Sequence, residues 1–225
     1  HRDLHSFPTR RSSDLKWCTI LVLISIHVNV FSQKGSGTIM TQKERAAWVD
    51  SMLAYRMEYL LPDLLRREGI DMWILISREY NEDPVMKTML PAEWLSARRR
   101  TIMVFYDPGM GKPIEKIAIA RYDVGRLLKG EWNIEVYPDQ WEALTDVVNK
   151  YKPKKIGINT SEYFGLADGL VSTEKDHLIR VLPNEYKTRV VSAERLAIAW
   201  LETRSPMEIS FYRSLCSLSR DIIMQ

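Results

Sequence analysis

A chain of 225 residues with 32 Lys and Arg against 29 Asp and Glu has room for one ordinary domain and the start of another. Setting residues 1–32 aside leaves 28 basic and 27 acidic residues, a balance that argues against a nucleic-acid surface as the main task. Of the 2 cysteines only Cys216 lies past that point, so no internal disulfide is expected. A core of this size does not need one.

The first 15 residues, HRDLHSFPTRRSSDL, back-translate to a common short-read sequencing adapter and are expected to be an assembly artefact. His1-Arg2-Asp3-Leu4 copies the opening of a kinase catalytic loop, but the rest of that signature is missing. Residues 16–32 follow a different pattern. Lys16 precedes an apolar run, Trp17 to Phe31, broken by Thr, Ser, His and Asn. The run falls short of the roughly 20 residues a spanning helix needs. It fits a secretory signal peptide cleaved after Ser32, which implies a periplasmic or secreted protein without a stable membrane anchor; the bland alternative is a buried core element. Residues 33–40 read as a flexible leader.

Thr41-Gln42-Lys43-Glu44 is a capping box. The helix it opens carries Trp48, Met52, Tyr55, Tyr59 and Leu60 at helical spacing, and Pro62 should kink or restart it. Gly69 is its expected C-cap. Ile70–Ile76 reads as a buried strand. Thr101–Tyr106 and Ile114–Ala120 flank turn residues and make a hairpin. Ile134–Tyr137 is a short fourth strand, and Trp141, Leu144, Val147 and Val148 mark a helix to Tyr151. Lys155–Asn159 is a fifth strand. Ser172 or Thr173 caps a helix bearing Leu178 and Leu182, and Thr188–Val191 is a last strand. Ser192 caps a helix through Leu196 and Trp200. Pro206 then sits at a first helical position and Glu208 suits the dipole of its first turn. The helix that follows carries Ile209, Tyr212, Leu215, Cys216 and Leu218 on roughly one face. Strands alternating with helices, plus one hairpin, predict an α/β domain with a mixed β-sheet flanked by helices.

Chemistry is sparse. Of 4 histidines, three precede residue 32, leaving His177 beside Lys175 and Asp176, where a solvated helix residue is the simplest reading. No HxxE, HExxH or CxxC spacing offers a metal site. There is no nucleophile elbow, no phosphate-binding loop and no dinucleotide fingerprint. The dense polar cluster is Ser77-Arg78-Glu79-Tyr80-Asn81-Glu82-Asp83-Pro84, directly after a strand, where loops commonly carry function. Its carboxylates and Arg78 suit a peptide terminus, or ion pairs with Arg98, Arg99 and Arg100, exposed pairs being common and weak. Trp94 and Leu95 suit packing, or a partner surface of the kind in which aromatics and Arg concentrate.

Gly69-Ile70-Asp71-Met72-Trp73-Ile74, then Arg78-Glu79-Tyr80-Asn81-Glu82-Asp83-Pro84, and finally Ala193-Glu194-Arg195-Leu196 to Glu208-Ile209 together resemble the M24 metallopeptidase family. The likeness is to exported Xaa-Pro aminopeptidases of the creatinase/prolidase type, and it runs from about Thr41 onward. It implies a creatinase N-terminal-like domain over 41–192, then, over 193–225, a linker helix and the first helix of a truncated pita-bread catalytic domain. In such enzymes that second domain holds two divalent metals, often manganese, through Asp, His and Glu ligands. Metal-activated water attacks the bond before proline. None of those ligand motifs has a counterpart here, so no catalytic or metal residue is carried over and the fragment is expected to be inactive by itself. The first domain is implied to help form a homo-oligomer and to restrict the active site to short proline-containing peptides. Arg78, Glu79, Tyr80, Asn81, Glu82, Asp83 and Trp94 are the residues expected on that interface or access surface. A stand-alone secreted binding module and an amidinohydrolase of the same architecture remain as alternatives.

Overall fold

Alternate residues of Met72–Arg78 (β1) face opposite layers, and both layers are apolar, which is why this stretch reads as an unbroken hydrophobic run. Trp73 and Leu75 enter one core while Met72, Ile74 and Ile76 enter the other. The computed structural model describes residues 40–109 and 111–224. The expected adapter translation, the expected signal peptide and the expected leader up to residue 39 lie outside the described residues. The chain divides into two units, His1–Lys43 and Glu44–Gln225; the fold is that of the second.

The remaining strands are Arg100–Tyr106 (β2), Glu115–Ala118 (β3), Lys129–Gly130 (β4), Ile156–Ile158 (β5) and Val190–Ser192 (β6). They form one sheet in the order β4-β3-β2-β1-β5-β6. The β1–β2 and β2–β3 pairs are antiparallel, whereas β3–β4, β1–β5 and β5–β6 are parallel. Ile74 sits between Val104 and Ile158 at the centre. The expected mixed sheet and its hairpin are therefore present.

Helices cover both faces. Gln42–Tyr55 (α1), Leu61–Glu68 (α2), Pro84–Lys87 (α3) and Glu194–Glu202 (α7) contribute to the core around Trp73 and Phe105. Gln140–Tyr151 (α4), Ser172–Val181 (α5) and Asn184–Lys187 (α6) contribute to the core around Ile74 and Val104. Pro206–Ile223 (α8) buries none of its residues.

Pro62 breaks the first helix in a specific way. Lacking an N–H, it leaves the ladder one donor short and crowds the carbonyl four residues earlier. Between α1 and α2 the chain widens into a π turn, Arg56–Leu60, in which Leu61 N–H bonds the Arg56 carbonyl. Gly69 ends α2 in the left-handed region at φ 63, and Ile70 N–H reaches back to Leu65 C=O at 3.0 Å.

Two expectations are corrected. The fourth strand is not Ile134–Tyr137. Asn133 accepts the Glu135 N–H on its side chain, and the Val136 and Tyr137 N–H groups bond the Asn133 carbonyl. That closes a turn with Ile134 and Val136 exposed. The strand that pairs with β3 is Lys129–Gly130 instead. The N-cap of α5 is Val171, with no side-chain cap, so neither Ser172 nor Thr173 takes that role. Leu196, Ala197 and Trp200 of α7 are fully buried in the core shared with α2 and α3, and Trp200 Nε1 donates to Thr88 Oγ1 at 2.8 Å.

Candidate functional site

At one end of the sheet the loops after β1, β3 and β4 meet the start of β2 and of α4. They enclose an open cleft of about 840 Å³. Cross-strand pairing sets its back wall. Arg78 and Arg100 lie directly opposite each other on β1 and β2, where like charges repel. Glu174 of α5, fully buried, resolves the conflict: it accepts from Arg100 Nε at 2.8 Å and from Arg78 Nε. Arg100 also lies over the Trp141 ring, 4.9 Å from its centroid. Gln140, at the start of α4, donates to Ile119 C=O at 2.6 Å and ties α4 to the end of β3.

The cleft walls carry more arginine. Arg98 stacks over Trp94 at 4.6 Å, and Arg121 lies 5.9 Å over Trp132. Tyr122 approaches Trp94 at 6.3 Å between centroids, and Trp132 is fixed by its Nε1 donating to Tyr137 C=O at 2.8 Å. Arg99 takes the left-handed conformation, φ 49. Its backbone is locked to Glu79, the Glu79 N–H donating to Arg99 C=O at 2.7 Å and the Arg99 N–H donating to Glu79 Oε2 at 3.0 Å. Among the described residues, Arg98, Arg99 and Arg121 make no ion pair.

The candidate site residues singled out by sequence divide into four groups. Glu79 and Trp94 line the cleft. Arg78 is spent on Glu174, and the ion pairs expected between the Arg78–Asp83 stretch and Arg98, Arg99 or Arg100 do not form among the described residues. Tyr80, Asn81 and Glu82 form the turn after β1. Asn81 N–H bonds Arg78 C=O at 3.1 Å, and Glu82 accepts from the N–H groups of Tyr80 and Ala97. Tyr80 is 89% exposed and left-handed at φ 67, a strained position of the kind that marks functional surfaces. Leu95, expected to pack, is 91% exposed on the cleft rim.

Asp83 lies inside the protein, not on a surface. Its Oδ1 caps α3 by accepting from Val85 and Met86 N–H at 2.7 and 3.0 Å, and its Oδ2 accepts from Asn159 Nδ2 at 2.8 Å. Asn159 in turn accepts from Trp73 Nε1 at 2.8 Å. Burial pushes the Asp83 carboxyl above its ordinary range, and the Met86, Asn159 and Val85 donors only partly offset it. Gly169 packs flat on this carboxylate; a Cβ there would stand 2.3 Å from Asp83 Cγ. Gly169→Ala is therefore expected to cost about 2 kcal/mol through overpacking, read as a lower midpoint in urea with an unchanged slope.

His177 is half-buried and stacks on Trp141 at 4.6 Å, where sequence suggested a solvated position. A second cleft, about 690 Å³, lies beyond β5 and β6. Its polar groups already bond one another: Ser161 Oγ donates to Glu194, and Asp168 accepts the Ser161 N–H. Among the described residues no group of three or more His, Cys, Asp or Glu side chains is placed to hold a metal ion. No helix among them is long and apolar enough to cross a membrane.

Sequence reasoning saw Arg98-Arg99-Arg100 only as pairing partners, and it did not connect them to Arg121, Tyr122 or Trp132. No local pattern signals that connection; the β2–β3–β4 topology makes it. Comparison with protein-family models and with curated proteins finds no match to this chain.

Proposed function

We propose that this chain is the N-terminal, non-catalytic domain of a metal-dependent aminopeptidase that releases N-terminal residues preceding proline, with the creatinase-like form of the α/β fold. The observation that carries the reading is where the three resembling stretches fall. Gly69–Ile74 makes the turn into the central strand. Arg78–Pro84 leaves that strand beside the main cleft. Ser205 and Glu208 form a reciprocal capping box that launches α8. The three stretches thus fall at the entry to β1, at its exit, and over α7 and the start of α8, in the order of the resemblance.

In this reading the two divalent metals, manganese being the expected ion, belong to Asp, His and Glu residues of the catalytic domain. The residues described here supply none of them. The role of this domain is assembly of a homo-oligomer and control of entry by short proline-containing peptides, in a periplasmic or secreted enzyme. The reading frame after Gln225 tests the assignment: Asp, His and Glu ligands in family order support it, and an immediate stop refutes it. In the full-length enzyme, Tyr80→Ala and Trp94→Ala are expected to change either the assembled size by light scattering or the longest peptide cleaved. Neither changing would refute the access role.

The arginine-lined cleft favours a second reading, a secreted binding module that acts without a catalytic partner. It predicts ligand binding by the chain alone and no peptidase ligands downstream.

A further inference from the structure

The main cleft gathers guanidinium groups that make no ion pair among the described residues. Arg98 and Arg99, just ahead of β2, and Arg121, just after β3, all line it, and none of them is ion-paired among the described residues. Two of the three are held over indole rings. Stacking fixes the plane of a guanidinium while leaving its N–H edge free, an arrangement suited to bidentate capture of a carboxylate. Like charges gathered in one concavity repel, and an anionic partner relieves that repulsion.

The cleft is not uniformly positive. Glu79, Glu93 and Asp139 line it too. A nucleic-acid strand or polyphosphate brings only negative charge and would meet these carboxylates unfavourably. A peptide brings both kinds of group, with backbone N–H donors for the carboxylates and acidic side chains for the arginines. The volume of about 840 Å³ lies within the range of clefts that bury a ligand of a few residues. Exposed Leu95 and Tyr122 on the rim give apolar contact between the charged positions.

We propose that this cleft is a docking site for a short acidic peptide segment, whose side-chain carboxylates pair with Arg98, Arg99 and Arg121. The site selects charge, and it does so whether or not a catalytic domain follows.

The test uses the full chain and three N-acetylated, C-amidated hexapeptides that differ only in carrying three Glu, three Gln or three Lys. Binding is followed by calorimetry and by tryptophan fluorescence. The Glu peptide is expected to bind about tenfold more tightly than the Gln peptide, and the Lys peptide weakest. The double variant R98E/R121E should erase the Glu preference and invert the order of Glu and Lys. Circular dichroism melts check that this variant stays folded; if it melts early, Arg98→Gln and Arg121→Gln, each reducing the Glu-to-Gln ratio about threefold, give the same reading. Equal affinity for the Glu and Gln peptides overturns the proposal, as does an unchanged ratio in the variants. A preference that appears only with a free C-terminal carboxylate overturns it in favour of terminus recognition. Tighter binding of a single-stranded oligonucleotide of equal charge overturns it in favour of a polyanion site. Loss of the peptidase reading leaves these outcomes unaffected, because they need no catalysis.

Discussion

Arg56→Ala is expected to lower the stability of the domain by about 3–5 kcal/mol and to release α8 from its base. Arg56 lies in the π turn, and its side chain is almost entirely enclosed. One terminal nitrogen donates to Thr203 C=O at 2.7 Å and to both Glu208 oxygens, at 3.1 and 3.0 Å; the other donates to Trp200 C=O. The guanidinium also lies 4.2 Å over the Trp200 ring. Truncation removes the guanidinium from a half-buried carboxylate and two carbonyls at the α7–α8 junction, leaving Glu208 only its Ser205 donors, the costly case for a buried ion. Arg56→Lys should recover little, since one ammonium cannot serve these acceptors in the same geometry.

Glu208 adds a pH dependence of known sign. Burial raises its carboxyl, but the Ser205 backbone N–H and hydroxyl and the Arg56 guanidinium outweigh burial and hold it below its ordinary value of 4.5. A depressed folded-state value means its contribution is present above pH 4.5 and is lost as the pH falls through the folded value. Hydrogen exchange should therefore show α8 amides opening first on acidification, and at a higher pH in Arg56→Ala than in the parent. The Trp48–Phe211 ring contact at 4.1 Å does not involve Arg56, so the helix is expected to loosen at its base before it detaches. Wild-type exchange rates along α8 in Arg56→Ala would show that the latch carries no load.

The parts of this fold that were legible in sequence are those set by local backbone chemistry. Gly69 could end α2 because a left-handed C-cap needs no Cβ, and Pro206 could open α8 because its nitrogen has no partner to lose. The two-faced burial of β1 was visible as Met72-Trp73-Ile74-Leu75-Ile76. What was illegible depends on distant residues. Ile134 and Val136 have strand propensity, yet the Asn133 side chain and carbonyl capture the backbone first. The candidate site shows the same limit. Glu79 and Trp94 could be named because they sit in a polar loop and beside an arginine run. Arg121 and Trp132 could not, because only the strand order β4-β3-β2 brings them into one cleft with Arg98. Glu174 lies in the first turn of a polar helix, where sequence carries no mark of burial, and its place between two arginines is visible only in three dimensions.

Glu174→Ala is expected to cost about 3 kcal/mol and to deform the back of the cleft. The Glu174 side chain is 1% exposed while Arg78 is 52% exposed, so Arg78 can turn to water but Arg100, at 26%, only in part. That asymmetry places the expected loss at the lower end of the range for a broken buried ion pair. Without the carboxylate, Arg78 and Arg100 face each other across β1 and β2 with nothing between them. Two consequences separate this repulsion from a plain packing loss. Raising the salt concentration should recover part of the stability, because partly exposed charges are screened. Adding Arg78→Ala to Glu174→Ala should also recover part of it, giving a coupling energy of about 1 kcal/mol or more in a double-mutant cycle. Additive losses with no salt effect would mean that Glu174 serves only to fill space under α5. A positive coupling would establish it as the residue that lets Arg78 and Arg100 stand opposite each other at the back of the cleft.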